Sequence, residues 1–225
     1  MKYKTCISIA ENSPKKIKNK LKDSLKKSDY VEIRFDFLKT EKIPETLEII
    51  KKDLEKVVCT LRPNNEGGKF AGSEKERIST LKLIAEYNPF LLDVEFNTLN
   101  KNKEFTNYLK TTKTKVLVSW HDFKKTPSTG ELKNKIKKMS KFSNYVKIVS
   151  TAKSVEDATR MLELYKSKGK NNLISFAMGD AGKISRILCL YLGSPYTYVS
   201  LGKAIAPGQF NVDEVNKIIN LKISK

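Results

Sequence analysis

Short runs of β-branched and other apolar residues recur along the chain, and each gives way to a stretch whose apolar positions fall three or four apart. The strand-like runs cover residues 5–10, 30–36, 57–62, 90–96, 115–121, 144–150, 172–178 and 196–201. Eight of them in 225 residues set a unit of roughly 28 residues, the length of a βα repeat. The stretches between them open on helix signals. Ser13-Pro14 supplies a cap and a first-turn proline, Pro44 opens the next helix, Ser73 with Glu76 makes a capping box, and Ser154 with Asp157 makes its aspartate analogue. Strand followed by helix, eight times over, closes most simply as a single (β/α)8 barrel of the α/β class, the TIM-barrel architecture. No linker or low-complexity tract divides the chain, so residues 1–225 are expected to form one domain. A doubly wound open sheet would want a glycine-rich phosphate turn after the first strand, where the chain reads Ile9-Ala10-Glu11-Asn12.

Side chains alternate along a strand, which gives each charge within these runs a definite face. Val31, Ile33 and Phe35 share one face; Glu32, Arg34 and Asp36 share the other. If helices cover the apolar face, the three ionisable groups point into the barrel. Leu92, Val94 and Phe96 oppose Asp93 and Glu95 in the same manner, His121 falls on the Leu117 and Ser119 side, and Lys147 stands in an otherwise apolar run. An unpaired buried charge costs several kcal/mol. Such residues need partners or a chemical role, and in a barrel that role belongs to the carboxyl ends of the strands.

Spacing alone leaves two readings for most of these groups. Lys147 is a structural ion-pair partner, or a nucleophile whose burial supplies the free amine that an imine requires. His121, the only imidazole in the chain, is a satisfied core residue or the acid–base group suited to neutral pH. Arg34, Arg62 and Arg186 fall at strand ends or early in a following helix, a placement that favours a carboxylate or polyol ligand. Arg77 and Arg160 read as helix-surface residues. Glu66-Gly67-Gly68 is a plain turn or a functional loop, and Asp36 and Glu95 read as partners that neutralise nearby lysines and arginines.

Composition narrows the field. There are 44 Lys+Arg against 25 Asp+Glu, a formal charge of +19, and only five of the basic residues are arginine. The lysines gather in stretches such as Lys15-Lys16-Ile17-Lys18-Asn19-Lys20 and Lys133-Asn134-Lys135-Ile136-Lys137-Lys138, interrupted by apolar residues at helical spacing. That is the pattern of solvated helix faces. A nucleic-acid stripe would carry arginine, glycine or aromatic platforms, and none is interleaved, so no specific nucleic-acid partner is expected. The surplus charge still suits an anionic small molecule. No apolar run approaches the ~20 residues of a membrane span, and the N-terminus lacks a signal-peptide core. Cys6, Cys59 and Cys189 are odd in number and set in apolar contexts, as buried free thiols of a reducing compartment are. A soluble, cytoplasmic protein is expected. One histidine and scattered cysteines make no metal cluster, and no Walker loop is present.

Several ordered pieces together resemble the type I 3-dehydroquinate dehydratases, the Schiff-base enzymes of the shikimate pathway. They are Glu32-Ile33-Arg34-Phe35-Asp36, Thr60-Leu61-Arg62, Glu66-Gly67-Gly68, Ser119-Trp120-His121-Asp122-Phe123, Lys147-Ile148, Met178-Gly179 through Ser185-Arg186, and Ala206-Pro207-Gly208-Gln209. The resemblance spans nearly the whole chain, each piece at the end of a successive strand. It implies that Lys147 forms an imine with the ketone of 3-dehydroquinate. His121 would then remove the neighbouring proton and protonate the departing hydroxyl in a syn elimination, giving 3-dehydroshikimate and water. Glu66 would orient that histidine; Arg186 and Gln209 would hold the substrate carboxylate; Glu32, Arg34 and Arg62 would take its hydroxyls; Ser8 would touch the ligand. The resemblance further implies no metal, no organic cofactor, a mobile lid over residues 203–210 and a homodimer. Ile205 departs from it, since many members carry serine there. Two alternatives stand beside this reading. A class I aldolase also uses a barrel lysine but wants a phosphate cradle at the last strands, and a non-enzymatic nucleic-acid-binding protein would use the lysine surface.

Overall fold

Every predicted run forms a strand, trimmed at its ends in most cases. They are β1 (Thr5–Ile9), β2 (Tyr30–Arg34), β3 (Val57–Thr60), β4 (Leu91–Glu95), β5 (Val116–Asp122), β6 (Tyr145–Thr151), β7 (Asn172–Met178) and β8 (Thr197–Val199). The computed structural model describes residues 3–202, 204–206 and 208–220. All ladders are parallel, and the hydrogen-bonded order runs β7-β6-β5-β4-β3-β2-β1-β8. The result is a nearly closed (β/α)8 barrel. At the seam between β7 and β8, the short helix α8 (Ser185–Tyr191, named here in chain order) spans the gap. Thr197 Oγ1 donates to the Arg186 carbonyl across it at 2.5 Å.

The remaining helices are α1 (Pro14–Ser24), α2 (Ile43–Ile50), α3 (Glu74–Glu86), α4 (Phe96–Lys101), α5 (Lys103–Thr111), α6 (Thr129–Met139), α7 (Val155–Glu163) and α9 (Val212–Ile219). The anticipated caps are in place: Ser13 accepts from the Lys16 N–H, and Ser73 with Glu76 closes a full capping box on α3. The lysine-rich helices turn an apolar stripe inward, Ile17 and Leu21 on α1 and Leu132, Ile136 and Met139 on α6, and leave their lysines in water.

Two apolar layers follow from the alternation. Val31, Ile33, Phe35, Leu92 and Val94 pack outward against the helices, as expected. Cys6, Val58, Leu91, Leu117, Ile174 and Tyr196 fill the barrel interior. All three cysteines are buried and free. Among the described residues no helix is long and apolar enough to cross a membrane.

Candidate active site

The inward positions change character toward the carboxyl ends of the strands. On β4 the inner face reads Leu91, Asp93, Glu95; on β6 it reads Tyr145, Lys147, Val149; on β2 it reads Tyr30, Glu32, Arg34. One cavity at this end is lined by all nine residues singled out from the sequence: Ser8, Glu32, Arg34, Arg62, Glu66, His121, Lys147, Arg186 and Gln209. They come from segments up to 201 residues apart, because each βα connection returns the chain to the same rim.

Lys147 is buried, and its Nζ lies 3.4 Å from Asp93 Oδ2 and 4.3 Å from the centre of the Tyr198 ring. The nitrogen is therefore both ion-paired and open to the cavity, so the two readings left by the sequence do not exclude each other. Asp93 is fully buried; its Oδ1 accepts from Ser119 Oγ at 2.6 Å and its Oδ2 accepts from Arg62 Nη2 at 2.7 Å. Burial alone would push this carboxyl up, but Arg62 and Lys147 outweigh it and hold Asp93 below the ordinary carboxylate range.

His121 Nδ1 lies 3.2 Å from Glu66 Oε2. Burial, then the cations of Arg62, Lys147 and Arg34, hold this histidine well below its ordinary range, so the imidazole is neutral at pH 7. Glu66 moves the other way. Burial foremost, then the neighbouring Glu95 and Asp93, raise it to about 7 against the pull of Arg62 and Arg77. Two glycines build the loop that presents it. Gly67 adopts φ +75°, and a side chain on Gly68 would collide with the Arg62 carbonyl.

The polar wall is tightly cross-braced. Glu32 accepts from Ser8 Oγ at 2.8 Å and from Thr60 Oγ1 at 2.9 Å. Asp36 receives Arg34 through Nε and Nη2 at 2.8 and 2.7 Å, though from a 3-10 turn rather than from the strand continuation expected of it. Glu95 joins Arg62 Nη1 and Arg77 Nη1, both at 2.6 Å. Asp36 and Glu95 are thus the neutralising partners that the sequence suggested.

Arg77 is a correction. The sequence places it on a helix surface, yet it is 1% exposed, joined to Glu95, Glu74, the Leu61 carbonyl and Thr98. It braces α3 against the strand ends beneath the site. Arg160, half-buried, donates to the Thr126 and Pro127 carbonyls. Asp93, Tyr198, Phe123, Val149, Phe176 and Met178 were not chosen as site residues; all but Asp93 line the cavity and Asp93 reaches it through Lys147. Phe123 had a signal, since it closes the Ser119–Phe123 motif.

Arg186 opens α8 and is buried with its guanidinium 4.4 Å over the Phe176 ring; burial lowers it to about 10, so it remains a cation. From the loop after β8, Gln209 Oε1 accepts from the amides of Ile205 and Ala206 at 3.0 and 3.3 Å, and its Nε2 reaches Ser8 Oγ at 3.4 Å. Ile205 therefore serves the wall through its backbone, which a serine there would do equally. Lys203 and Pro207 of this loop lie outside the described residues.

Comparison with known proteins bears on the family and the fold. The sequence model of the type I 3-dehydroquinase family matches residues 5–224. A 3-dehydroquinate dehydratase of Methanococcus vannielii is 36% identical over 224 residues, covering 96% of this chain and 98% of that protein. That of Methanocaldococcus jannaschii is 34% identical over 224 residues, with 96% and 97% covered. The crystal structure of a type I 3-dehydroquinate dehydratase from Clostridium difficile, covalently modified with comenic acid, superposes with a TM-score of 0.86 at 26% identity, covering 97% of this chain and 92% of that one. The chain belongs to the type I 3-dehydroquinase family, the hydro-lyases of the shikimate pathway that work through a lysine imine.

Proposed function

We propose that this chain, acting as one catalytic domain, dehydrates 3-dehydroquinate to 3-dehydroshikimate, with Lys147 as the imine-forming residue and His121 as the proton carrier. The observation that carries the reading is the opening of a buried amine and a neutral imidazole onto one cavity of opposite charges. Lys147 passes a proton to the neutral His121 and adds as the free amine to the substrate ketone; the carbinolamine hydroxyl then leaves as water with that proton, so one protonated imine and one water form and the net charge of the site is conserved. Asp93 faces that charge in both states. The imine draws electrons from the adjacent carbon as His121 takes its proton. The resulting enamine returns those electrons to expel the neighbouring hydroxyl, which leaves as water with the proton His121 carries. Hydrolysis of the imine then restores Lys147. Because the imine is itself the electron sink, the reaction as proposed uses neither metal nor organic cofactor; among the described residues no group of His, Cys, Asp or Glu is disposed to hold a metal ion.

The other assignments follow from charge for Arg186 and, for Gln209, Arg34, Glu32 and Arg62, from which atoms are already committed. Arg186 offers a desolvated guanidinium to the substrate carboxylate, and Gln209 offers Nε2, its carbonyl oxygen being taken by two amides. Arg34 holds Asp36 through Nε and Nη2, leaving Nη1 for a substrate hydroxyl. Glu32 has one donor on each oxygen and keeps further lone pairs for a hydroxyl, with Ser8 beside it. Arg62 commits three of its four terminal N–H groups to Glu95, Ser119 and Asp93, so it orders those groups and keeps one N–H on Nη2 for a substrate hydroxyl. The test is covalent. Borohydride with substrate or product adds one reduced ligand to Lys147 on peptide mapping; absence of that adduct while turnover persists overturns the reading.

A second copy of the chain is the proposed partner, and the cytoplasm the proposed compartment, in keeping with three buried free thiols. The outer face of α8 and its flanks exposes Ile184, Leu188, Tyr191 and Leu192. Between Ile184 and Leu192 the one charged residue, Arg186, is buried, and Lys183 borders the face only at its start, so two copies can meet there with few opposing lysines. Leu188→Lys is expected to halve the mass seen by sedimentation; an unchanged mass removes this interface.

A further inference from the structure

Phe123 has no part in the chemistry above, yet it lines the same cavity with nearly half of its surface exposed (49%). Its ring stacks on His121, centroids 5.9 Å apart and planes inclined by 20°. Its far edge rests on Gly67, where a Cβ would stand 2.6 Å from Phe123 Cζ. The backbone beneath it is anchored: Asp122 Oδ1 accepts the Lys124 and Lys125 amides at 2.8 and 3.0 Å, and the Asp122 carbonyl accepts from Thr151 Oγ1 at 3.1 Å. The ring is thus seated on the bare glycine beside Glu66 and over the imidazole to which Glu66 is bonded.

We propose that Phe123 is a positioning residue, a roof that fixes the plane of His121 and keeps water from the Glu66 carboxyl. The inference rests on the reading of His121 as the proton carrier. It gives the second residue of Glu66-Gly67-Gly68 a reason, since any side chain at position 67 would displace the roof. Glu66 is faced by His121 from β5, by Arg62 beyond β3, by Glu95 and Asp93 from β4 and by Arg77 from α3. Among these influences burial is the foremost one raising it, and a ring seated on the adjacent Gly67 and on His121 would supply part of that burial. An ionised Glu66 accepts Nδ1–H and leaves the Nε2 lone pair as the base; a protonated Glu66 donates to Nδ1 and removes that base.

The half-exposed position makes Phe123→Ala a variant that keeps its fold. In it, the pH midpoint of kcat/KM is expected to fall by about one unit, a tenfold change in the ionised fraction of Glu66, while kcat drops on the order of tenfold. Phe123→Leu, which keeps an apolar cover, should hold the wild-type midpoint. A readout independent of turnover is the loss of Tm between pH 5 and pH 8 relative to Glu66→Gln, which the roof produces and which shrinks in Phe123→Ala. If Lys147 is trapped by borohydride but neither midpoint nor Tm difference moves in Phe123→Ala, the roof is wrong. If trapping fails while the Tm difference shrinks, the roof stands and the proposed mechanism is what fails.

Discussion

The two ends of this barrel are built from the same strands and the same alternation, yet they do opposite things with their inward positions. At the amino end, Tyr30 and Phe90 stack at 4.3 Å with planes 3° apart, Tyr196 and Tyr145 close around them, and Leu91 and Leu117 complete a floor free of charge. Two residues further along, those strands place Glu32, Asp93 and Lys147 in the interior. Among the described residues a hollow of about 1070 Å³ opens at the amino end among Tyr3, Lys4, Lys26 and Lys27, whereas the cavity at the carboxyl end is about 140 Å³. Size does not locate the site; convergence of buried, mutually neutralising charges does. The floor contributes cohesion by burying apolar surface. The rim carries groups costly to desolvate, held by Arg62, Asp93, Glu95 and Arg77 in a braced network.

The sharpest way to break this division is at the rim. Lys147→Ala is expected to lower kcat by at least about a thousandfold, on the order of the barrier reduction a covalent nucleophile supplies, in steady-state assay. Retention of a tenth of the wild-type rate would return Lys147 to the structural role that its contact with Asp93 also allows.

Next comes a pair two residues apart on β4, both fully buried. Leu91→Ala at the floor is expected to cost about 2–5 kcal/mol in urea unfolding through lost contacts and a cavity, with kcat of the folded enzyme retained. Asp93→Asn at the rim leaves Arg62 and Lys147 short of their anion and is expected to cost about 3–5 kcal/mol and activity as well. Equal loss of activity in the two variants would erase the distinction.

The floor and the outer layer were legible in the sequence because they depend on local period alone. Val31, Ile33 and Phe35 against Glu32 and Arg34 could be sorted by alternation with no knowledge of neighbours. Most of the rim was legible too, since ionisable residues in apolar strands have few places to go. The failures share one cause. Arg77, directly after Glu74-Lys75-Glu76 on an amphipathic helix, reads as solvated; its burial depends on Glu95 and Thr98, which only the fold brings near. Asp93 likewise gains its significance from Ser119 on β5 and Lys147 on β6. Phe123 lies beyond the last strand residue, where periodicity says nothing about a ring settling on a glycine 56 positions earlier. Asp36 meets Arg34 from a turn, so its neutralising role was legible while the backbone that delivers it was not.

A smaller effect probes the carboxylate clamp. Arg186→Ala is expected to lower kcat/KM by roughly 10- to 150-fold, the worth of about 1.5–3 kcal/mol for a charged hydrogen bond, mainly through KM, with Tm little changed. An unaltered kcat/KM would place the substrate carboxylate elsewhere on the rim.

The finest test asks what a rim charge costs the fold. Glu66 is raised from its ordinary 4.5 to about 7, so the folded state binds its proton more tightly than the unfolded chain does. The stability this brings is complete below pH 4.5 and is lost as pH rises toward 7; above 7 the native carboxylate is ionised in a site that resists it. Glu66→Gln never ionises. Its Tm should match the wild type near pH 4 and exceed it by roughly 6–12 °C at pH 8, since the shift is worth about 3 kcal/mol and a chain of this size moves about 2–4 °C per kcal/mol. The same substitution should abolish the rise of kcat/KM through pH 7, because glutamine cannot exchange between donating to Nδ1 and accepting from it as the proton moves. Stability gained at the pH where activity is lost is the signature of a group kept at the rim for chemistry. A matched substitution at the floor, Tyr196→Phe, should show neither trend between pH 4 and pH 8, since burial pushes that phenol well above its ordinary range and it stays neutral throughout.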